Sequence, residues 1–183
     1  MTTLPYAILQ DRRIALLGTV GFALALAAAS QVAIPLPGTP VPVTLQPFIV
    51  VLAGMMLGPA LGTAAMLAYL AAGAVGLPVF SPFGAPGLAR FVGPTGGYLI
   101  AFPAAAFTAG YLAQKFPALL GRWMAATIGI AVLFVGGITQ LTLLTGSFGA
   151  ALAQGITPFA LLDIGKALVA ALIARPGVRT SRG

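Results

Sequence analysis

The chain has 183 residues, 60% of them hydrophobic and only 6% charged, with mean hydropathy +1.07 and net charge +7. Soluble domains carry about 25% charged residues, so too little polar surface is present to cover a soluble globule, and the chain reads as an integral membrane protein. The absence of cysteine and histidine excludes disulfides, thiol chemistry, histidine–zinc sites and serine–histidine triads.

The first predicted element follows Arg12-Arg13 and runs from Ile14 to Ile34. A charged start, an apolar run and Ala27-Ala28-Ala29-Ser30 have the outline of a signal peptide. At about 21 residues the run exceeds an h-region and is long enough to span, so it reads as a retained first helix. It carries Gly21-x-x-x-Ala25-x-x-x-Ala29 and Ala23-x-x-x-Ala27. Small residues four apart let helix backbones approach closely, either within the protein or against a membrane partner.

Prolines 35, 37, 40 and 42 then break any helix. A second span is expected over 43–57, a tight turn at Gly58-Pro59, and a third span over 60–77. A Gly/Pro/Phe-rich segment fills 78–94. The fourth and fifth spans are expected over 95–113 and 123–144, and the sixth over 157–174, with Thr157 suited to its N-cap and Pro158 to its first turn. Gly58-Pro59-x-x-Gly62 and Gly93-Pro94-x-x-Gly97 echo each other, but two such turns do not establish a duplication.

The expected architecture is therefore an all-α integral membrane protein, a single domain of six transmembrane helices with both termini cytoplasmic. In that arrangement Arg12, Arg13, Lys115, Arg122, Arg175, Arg179 and Arg182 lie inside, Arg90 lies in an outer loop and Lys166 lies in the membrane. Tyr6, Tyr111 and Trp123 fall near span ends, as interfacial aromatics do. The basic residues flank spans and no aromatic-interleaved basic patch exists, so nucleic-acid binding is rejected. The long irregular segments lie at the outer face. Such backbone survives near membrane depth only when buried in protein or lining a cavity, which puts the expected working site there.

Asp163 is the only acidic residue inside an apolar segment, and Lys166 follows it by three positions. At that spacing the two share a helix face and can neutralise each other. With Pro158 opening the helix, Asp163 lies roughly 8 Å inward and Lys166 roughly 12 Å, at 1.5 Å per residue. A charge at that depth costs several kcal/mol unless paired or facing water. Two readings stand: a polar ligand site, or an ion pair that locks the bundle. Arg90 either joins the pair in one pocket or is a solvated loop arginine. Phe80, Phe83, Phe91 and Tyr98 are candidates to pack a ligand's apolar part. Gln31, Gln46 and Gln140 can bind a ligand or join helix to helix. Thr39, Thr44 and Thr95 suit turns or caps.

Gly165-Lys166-Ala167 lacks both the preceding glycine and the following Ser/Thr of a phosphate loop, so no ATP hydrolysis is expected of the chain itself. Ser147 has no histidine to activate it. One membrane carboxylate cannot make an acid/base pair, so the chain is not read as an enzyme.

Five stretches occur in order: Gln31-x-x-Ile34-Pro35-x-Pro37, Pro40-Val-Pro42-Val-Thr44-x-Gln46, Gly76-Leu77-Pro78-Val79-Phe80, Gly93-Pro94-Thr95-Gly96-Gly97-Tyr98, and Asp163-x-x-Lys166. Together they resemble the BioY family, the biotin-binding S components of energy-coupling-factor transporters. The resemblance covers nearly the whole chain. It implies a multi-pass protein of the bacterial cytoplasmic membrane that takes up biotin with high affinity. It implies a site near the outer side with Asp163, Lys166, Arg90, Tyr98 and Gln46 as ligand residues, and no cofactor or metal. It also implies a partner module of a transmembrane coupling protein and two ATPases, with Gly21, Ala23, Ala25, Ala27 and Ala29 as the docking face. An autonomous carrier or channel for another small solute, and a structural subunit, are the alternatives.

Overall fold

The computed structural model describes residues 12–174; Tyr6, Arg175, Arg179 and Arg182 fall outside the described residues. Seven α-helices account for most of them. These are α1 (Arg12–Gln31), α2 (Gln46–Leu57), α3 (Pro59–Ala74), α4 (Gly96–Lys115), α5 (Leu119–Thr145), α6 (Phe148–Gly155) and α7 (Ala160–Ile173). A short antiparallel hairpin of β1 (Ala33–Ile34) and β2 (Val43–Thr44) pairs Ala33 with Thr44 and follows α1. A 3-10 helix, Gly87–Val92, precedes α4.

The helices meet through small residues. A Cβ placed on Gly54 would overlap the Ala106 backbone, and one on Gly110 the Gly54 carbonyl, so α2 and α4 run nearly in backbone contact. Gly97 and Gly136 do the same for α4 and α5. In lipid, where burial of apolar area between helices gains little, this close approach is the main source of packing energy. Large apolar side chains point outward instead, among them Leu17, Leu24, Ile100, Val135, Leu143 and Leu161.

Gly58 has φ +84°, a conformation that side chains resist, and it lets α2 reverse into α3 in a single residue, with Pro59 as the first residue of α3. The ideal Cβ of Gly18 lies 2.9 Å from Leu57 and that of Gly110 lies 2.9 Å from Pro59. The N-terminal half of α1, the α2–α3 turn and the C-terminal half of α4 thus share one end of the bundle. The connecting segments 32–45, 75–95 and 146–159, the last containing α6, gather at the other end. There Thr39 donates to the Gln154 carbonyl (2.7 Å) and Gln31 to the Phe80 carbonyl (3.0 Å).

Among the described residues, three helices are long and apolar enough to cross a membrane, α1, α4 and α5, and a fourth span results if α6 and α7, bent by 50° at their break, count as one. Helices α2 and α3 are apolar but only 12 and 16 residues long. The expected N-cap at Thr157 does not form. The last helix starts at Ala160 after Phe159, and the Thr157 hydroxyl donates back to Leu152 at 3.2 Å. Ser147 is an N-cap, accepting from the Ala150 amide at 3.3 Å.

The small-residue face of α1 is split. Ala23 and Ala27 pack against the core formed with α2, α3 and α4, and Ala29 is itself buried. Ala25 is half-buried, and Gly21 is exposed with open space beyond it. The stripes lie on adjoining sides of the helix, and α1 turns the 23/27 side inward because Leu26 belongs to the same core.

Candidate functional site

A cavity of about 690 Å³, including its open mouth, lies beneath the three gathered connections. Its apolar wall includes Phe80, Phe102, Leu133, Phe134 and Phe159. Its polar groups are Thr44, Gln46, Ser81, Arg90, Thr95, Tyr98, Asp163 and Lys166. The cavity brings together all five residues singled out as ligand groups, from four separate parts of the chain.

Asp163 sits in the first turn of α7 and is 4% exposed. Lys166, one turn on, places its Nζ 2.7 Å from Asp163 Oδ1 and donates to the Thr44 carbonyl at 2.7 Å. The lysine therefore neutralises the carboxylate and ties β2 to α7. Gln46, the first residue of α2, is buried. Its Nε2 donates to the Tyr69 hydroxyl (2.9 Å), and its Oε1 accepts from the Thr44 hydroxyl (3.4 Å). Tyr98 lines the cavity from the first turns of α4 and donates to the Gly155 carbonyl at 2.8 Å. That bond ties α4 to the end of α6, just ahead of the break.

Arg90 is not a solvated loop residue. It sits in the 3-10 helix and is 5% exposed. Its Nη2 donates to the Ser81 carbonyl at 2.5 Å, its Nη1 donates to the Phe83 carbonyl, and its guanidinium carbon lies 5.9 Å from the Phe80 ring centroid. Gly84, at φ +116°, clears the space its head group occupies. Burial holds Arg90 below the ordinary arginine pKa, from so high a reference that it remains charged at neutral pH. Its Nε and the hydroxyl of Ser81 are buried without hydrogen-bond partners.

Other expectations divide. Phe80 lines the cavity, whereas Phe91 packs edge-on behind it at 5.7 Å and Phe83 is exposed. Gln31 and Gln140 hold loops, bonding to Phe80 and to Gly93 carbonyls. Thr95, expected only as a turn or cap, lines the cavity. Sequence reasoning did not single out Ser81 or Tyr69. The only signal for Tyr69 is a phenol hydroxyl in a helix whose one other polar side chain is Thr63.

A family model described as BioY matches residues 6–182. Among curated relatives, the probable biotin transporter BioY of Pyrococcus horikoshii is 44% identical over 74% of this chain and 79% of its own length. The biotin transporter BioY of Thermotoga maritima is 40% identical over 77% and 83%, and that of Rhodobacter capsulatus 37% over 91% and 93%. Among solved structures, the S-component for biotin from an ECF-type ABC transporter superposes with TM-score 0.84 at 26% identity, covering 91% of each chain. The family match spans the hairpin, the Arg90 segment and the Asp163–Lys166 helix alike, and the chain belongs to the BioY family.

Proposed function

We propose that this chain binds biotin and mediates its uptake as the substrate-binding S component of an energy-coupling-factor transporter. It is a transport protein and not an enzyme. The observation that carries the reading is the mixed polarity of one apolar-walled cavity. It holds a carboxylate and an amide oxygen as acceptors, and a lysine and an arginine as donors.

Biotin offers two ureido N–H donors, a ureido carbonyl, a thiophane ring and a carboxylate. In the proposed complex Asp163 accepts from the ureido N–H groups. Lys166 and Arg90 donate to the ureido oxygen or to the carboxylate, and the aromatic wall packs the thiophane and methylene carbons. Gln46 and Tyr98 complete the polar lining. A site built this way rejects analogues that leave its buried groups unpaired, by factors of up to about 10⁴.

The same proposal carries a topology. Helices α1 to α5 and the broken pair α6–α7 make six passes, with both termini and the Lys115–Arg122 connection on the cytoplasmic side of the bacterial cell membrane. The short α2 and α3 are accommodated by local thinning of the bilayer or by burial among longer neighbours. Partners are a transmembrane coupling protein and an ATPase pair. Their docking face on α1 centres on exposed Gly21 and half-buried Ala25, since Ala23, Ala27 and Ala29 are engaged in the protein's own core.

The decisive test is a titration of purified, detergent-solubilised protein with biotin. Saturable, stoichiometric binding is expected. A folded protein that shows no saturable biotin binding, or that passes current without it, overturns the reading in favour of a carrier or channel for another solute.

A further inference from the structure

We propose that Ser30 and Gln31, the last two residues of α1, are positioning residues for the ligand, holding the 79–81 backbone so that Phe80 and Arg90 stand on the cavity wall. The inference rests on the biotin reading above. Phe80 and Arg90 line the cavity, and Ser30 and Gln31 do not.

Residues 75–86 form neither helix nor strand, so their carbonyls need partners outside a regular ladder. Four of the five carbonyls from Val79 to Phe83 are taken by side chains, two from α1 and two from Arg90. Ser30 Oγ lies 2.6 Å from the Val79 oxygen, and Gln31 Nε2 lies 3.0 Å from the Phe80 oxygen. Arg90 donates to the next two, Ser81 at 2.5 Å and Phe83. The segment is thus strung between the end of α1 and the guanidinium, and release at one end frees the other to shift.

The acceptors determine the direction of these bonds, because a carbonyl only accepts. The Gln31 amide meets the carbonyls of Phe80 at 3.0 Å, Ala27 at 3.4 Å and Pro78 at 3.5 Å, so its nitrogen is the end that points there. The same nitrogen lies 2.9 Å from Ser30 Oγ and donates to it. The Ser30 hydroxyl donates in turn to Val79, with the Ala27 carbonyl of its own helix as second acceptor at 2.7 Å. Ser30 is fully buried, where an unmade hydrogen bond is costly.

Phe80 is seated to match. Its ring tip lies against Gly73, where a Cβ would overlap it, and its ring meets Tyr69 edge-on at 5.5 Å. The Arg90 guanidinium carbon is 5.9 Å from the same ring. A shift of the 79–81 backbone therefore displaces Phe80, Ser81 and Arg90 together, and all three line the cavity.

The test uses the full chain in detergent. Biotin Kd and the melting temperature are measured for the wild type, Ser30→Ala, Gln31→Glu, Gln31→Lys, Arg90→Lys and the double variant Ser30→Ala with Arg90→Lys. Ser30→Ala is expected to weaken biotin roughly tenfold, the scale of one hydrogen bond. Gln31 is exposed, so substitution there leaves the core intact. Gln31→Glu keeps the shape but turns an acceptor toward carbonyls, and a loss of similar size is expected. Gln31→Lys can still donate to the Phe80 carbonyl and is expected to recover most of the affinity. In the Arg90→Lys background the segment is already released at its far end, so Ser30→Ala is expected to cost clearly less than in the wild type.

Unchanged biotin affinity in folded Ser30→Ala, whatever its melting temperature, overturns the proposal and leaves Ser30 a structural bond. So does an equal fold loss with and without Arg90→Lys, or an equal loss in Gln31→Glu and Gln31→Lys. If Ser30→Ala does not fold, the two Gln31 variants decide. Failure of the wild type to bind biotin instead overturns the function on which the proposal rests.

Discussion

Lys166 reaches across 122 positions of sequence to donate to the backbone carbonyl of Thr44 at 2.7 Å. The lysine thus has two tasks: it neutralises Asp163 one turn before it, and it fastens the hairpin at the cavity mouth to α7. Thr44 is shared further, since its hydroxyl donates to Gln46. One residue of β2 therefore joins the charged pair to the amide that faces it.

Removing one member of the pair leaves the other without its counter-charge, Asp163 buried or Lys166 half-buried, at a cost of up to about 3–5 kcal/mol. Asp163→Asn and Lys166→Met are each expected to lower the melting temperature sharply. The double variant is expected to recover folding and membrane insertion while binding biotin far more weakly. A double variant with near-wild-type affinity would assign the pair a purely structural role.

Arg90→Lys keeps the charge and loses the fork that serves the Ser81 and Phe83 carbonyls together. The expected result is biotin affinity reduced by at least tenfold, about 1.4 kcal/mol, in a protein that still purifies as a monodisperse species. Ser81→Ala is expected to have a smaller effect of the same sign. Titration calorimetry of both variants checks the order.

Gly137 faces the Tyr98 ring so closely that a Cβ would overlap it. Gly137→Ala is expected to push Tyr98 off the Gly155 carbonyl and to destabilise the fold by about 1–3 kcal/mol, the usual cost of overpacking. Tyr98→Phe in the wild-type background separates the two effects, because it removes the hydrogen bond without the collision. Thermal melts in detergent report both.

The natural chain contains no cysteine, so single cysteines are clean topology probes. Pro117 and Ser147 both lie in exposed turns, at the start and the end of α5. Pro117→Cys is expected to be protected from an impermeant thiol reagent in sealed cells, and Ser147→Cys to react. Equal labelling of the two from outside would rule out the six-pass arrangement.

The purified chain is expected to bind biotin without hydrolysing ATP, because the residues around Lys166 form no phosphate loop. Concentrative uptake in reconstituted vesicles is expected to require an added coupling protein and ATPase pair. ATP turnover by the chain alone would contradict this.

Some of this was legible without coordinates, because it depends on sums or on local spacing. Composition alone places the chain in a membrane, since hydrophobicity adds residue by residue. The i, i+3 spacing of Asp163 and Lys166 puts them on one helix face in any fold. Proline clusters mark the segments that cannot be helical and so are free to line a cavity. What these rules do not carry is rotation and depth. The α1 stripe was readable as a surface for close approach, but which side faces inward depends on how α1 turns against α2, α3 and α4. Arg90 reads as a loop arginine until the chain folds 81–84 around its guanidinium. Tyr69 and Gln46 lie 23 positions apart, and their hydrogen bond has no local signature. The sequence by itself determined the solvent in which the protein folds and the chemistry available to it. The tertiary structure alone decided which polar groups are buried together, because burial and hydrogen bonding are properties of the packed bundle and not of any one segment.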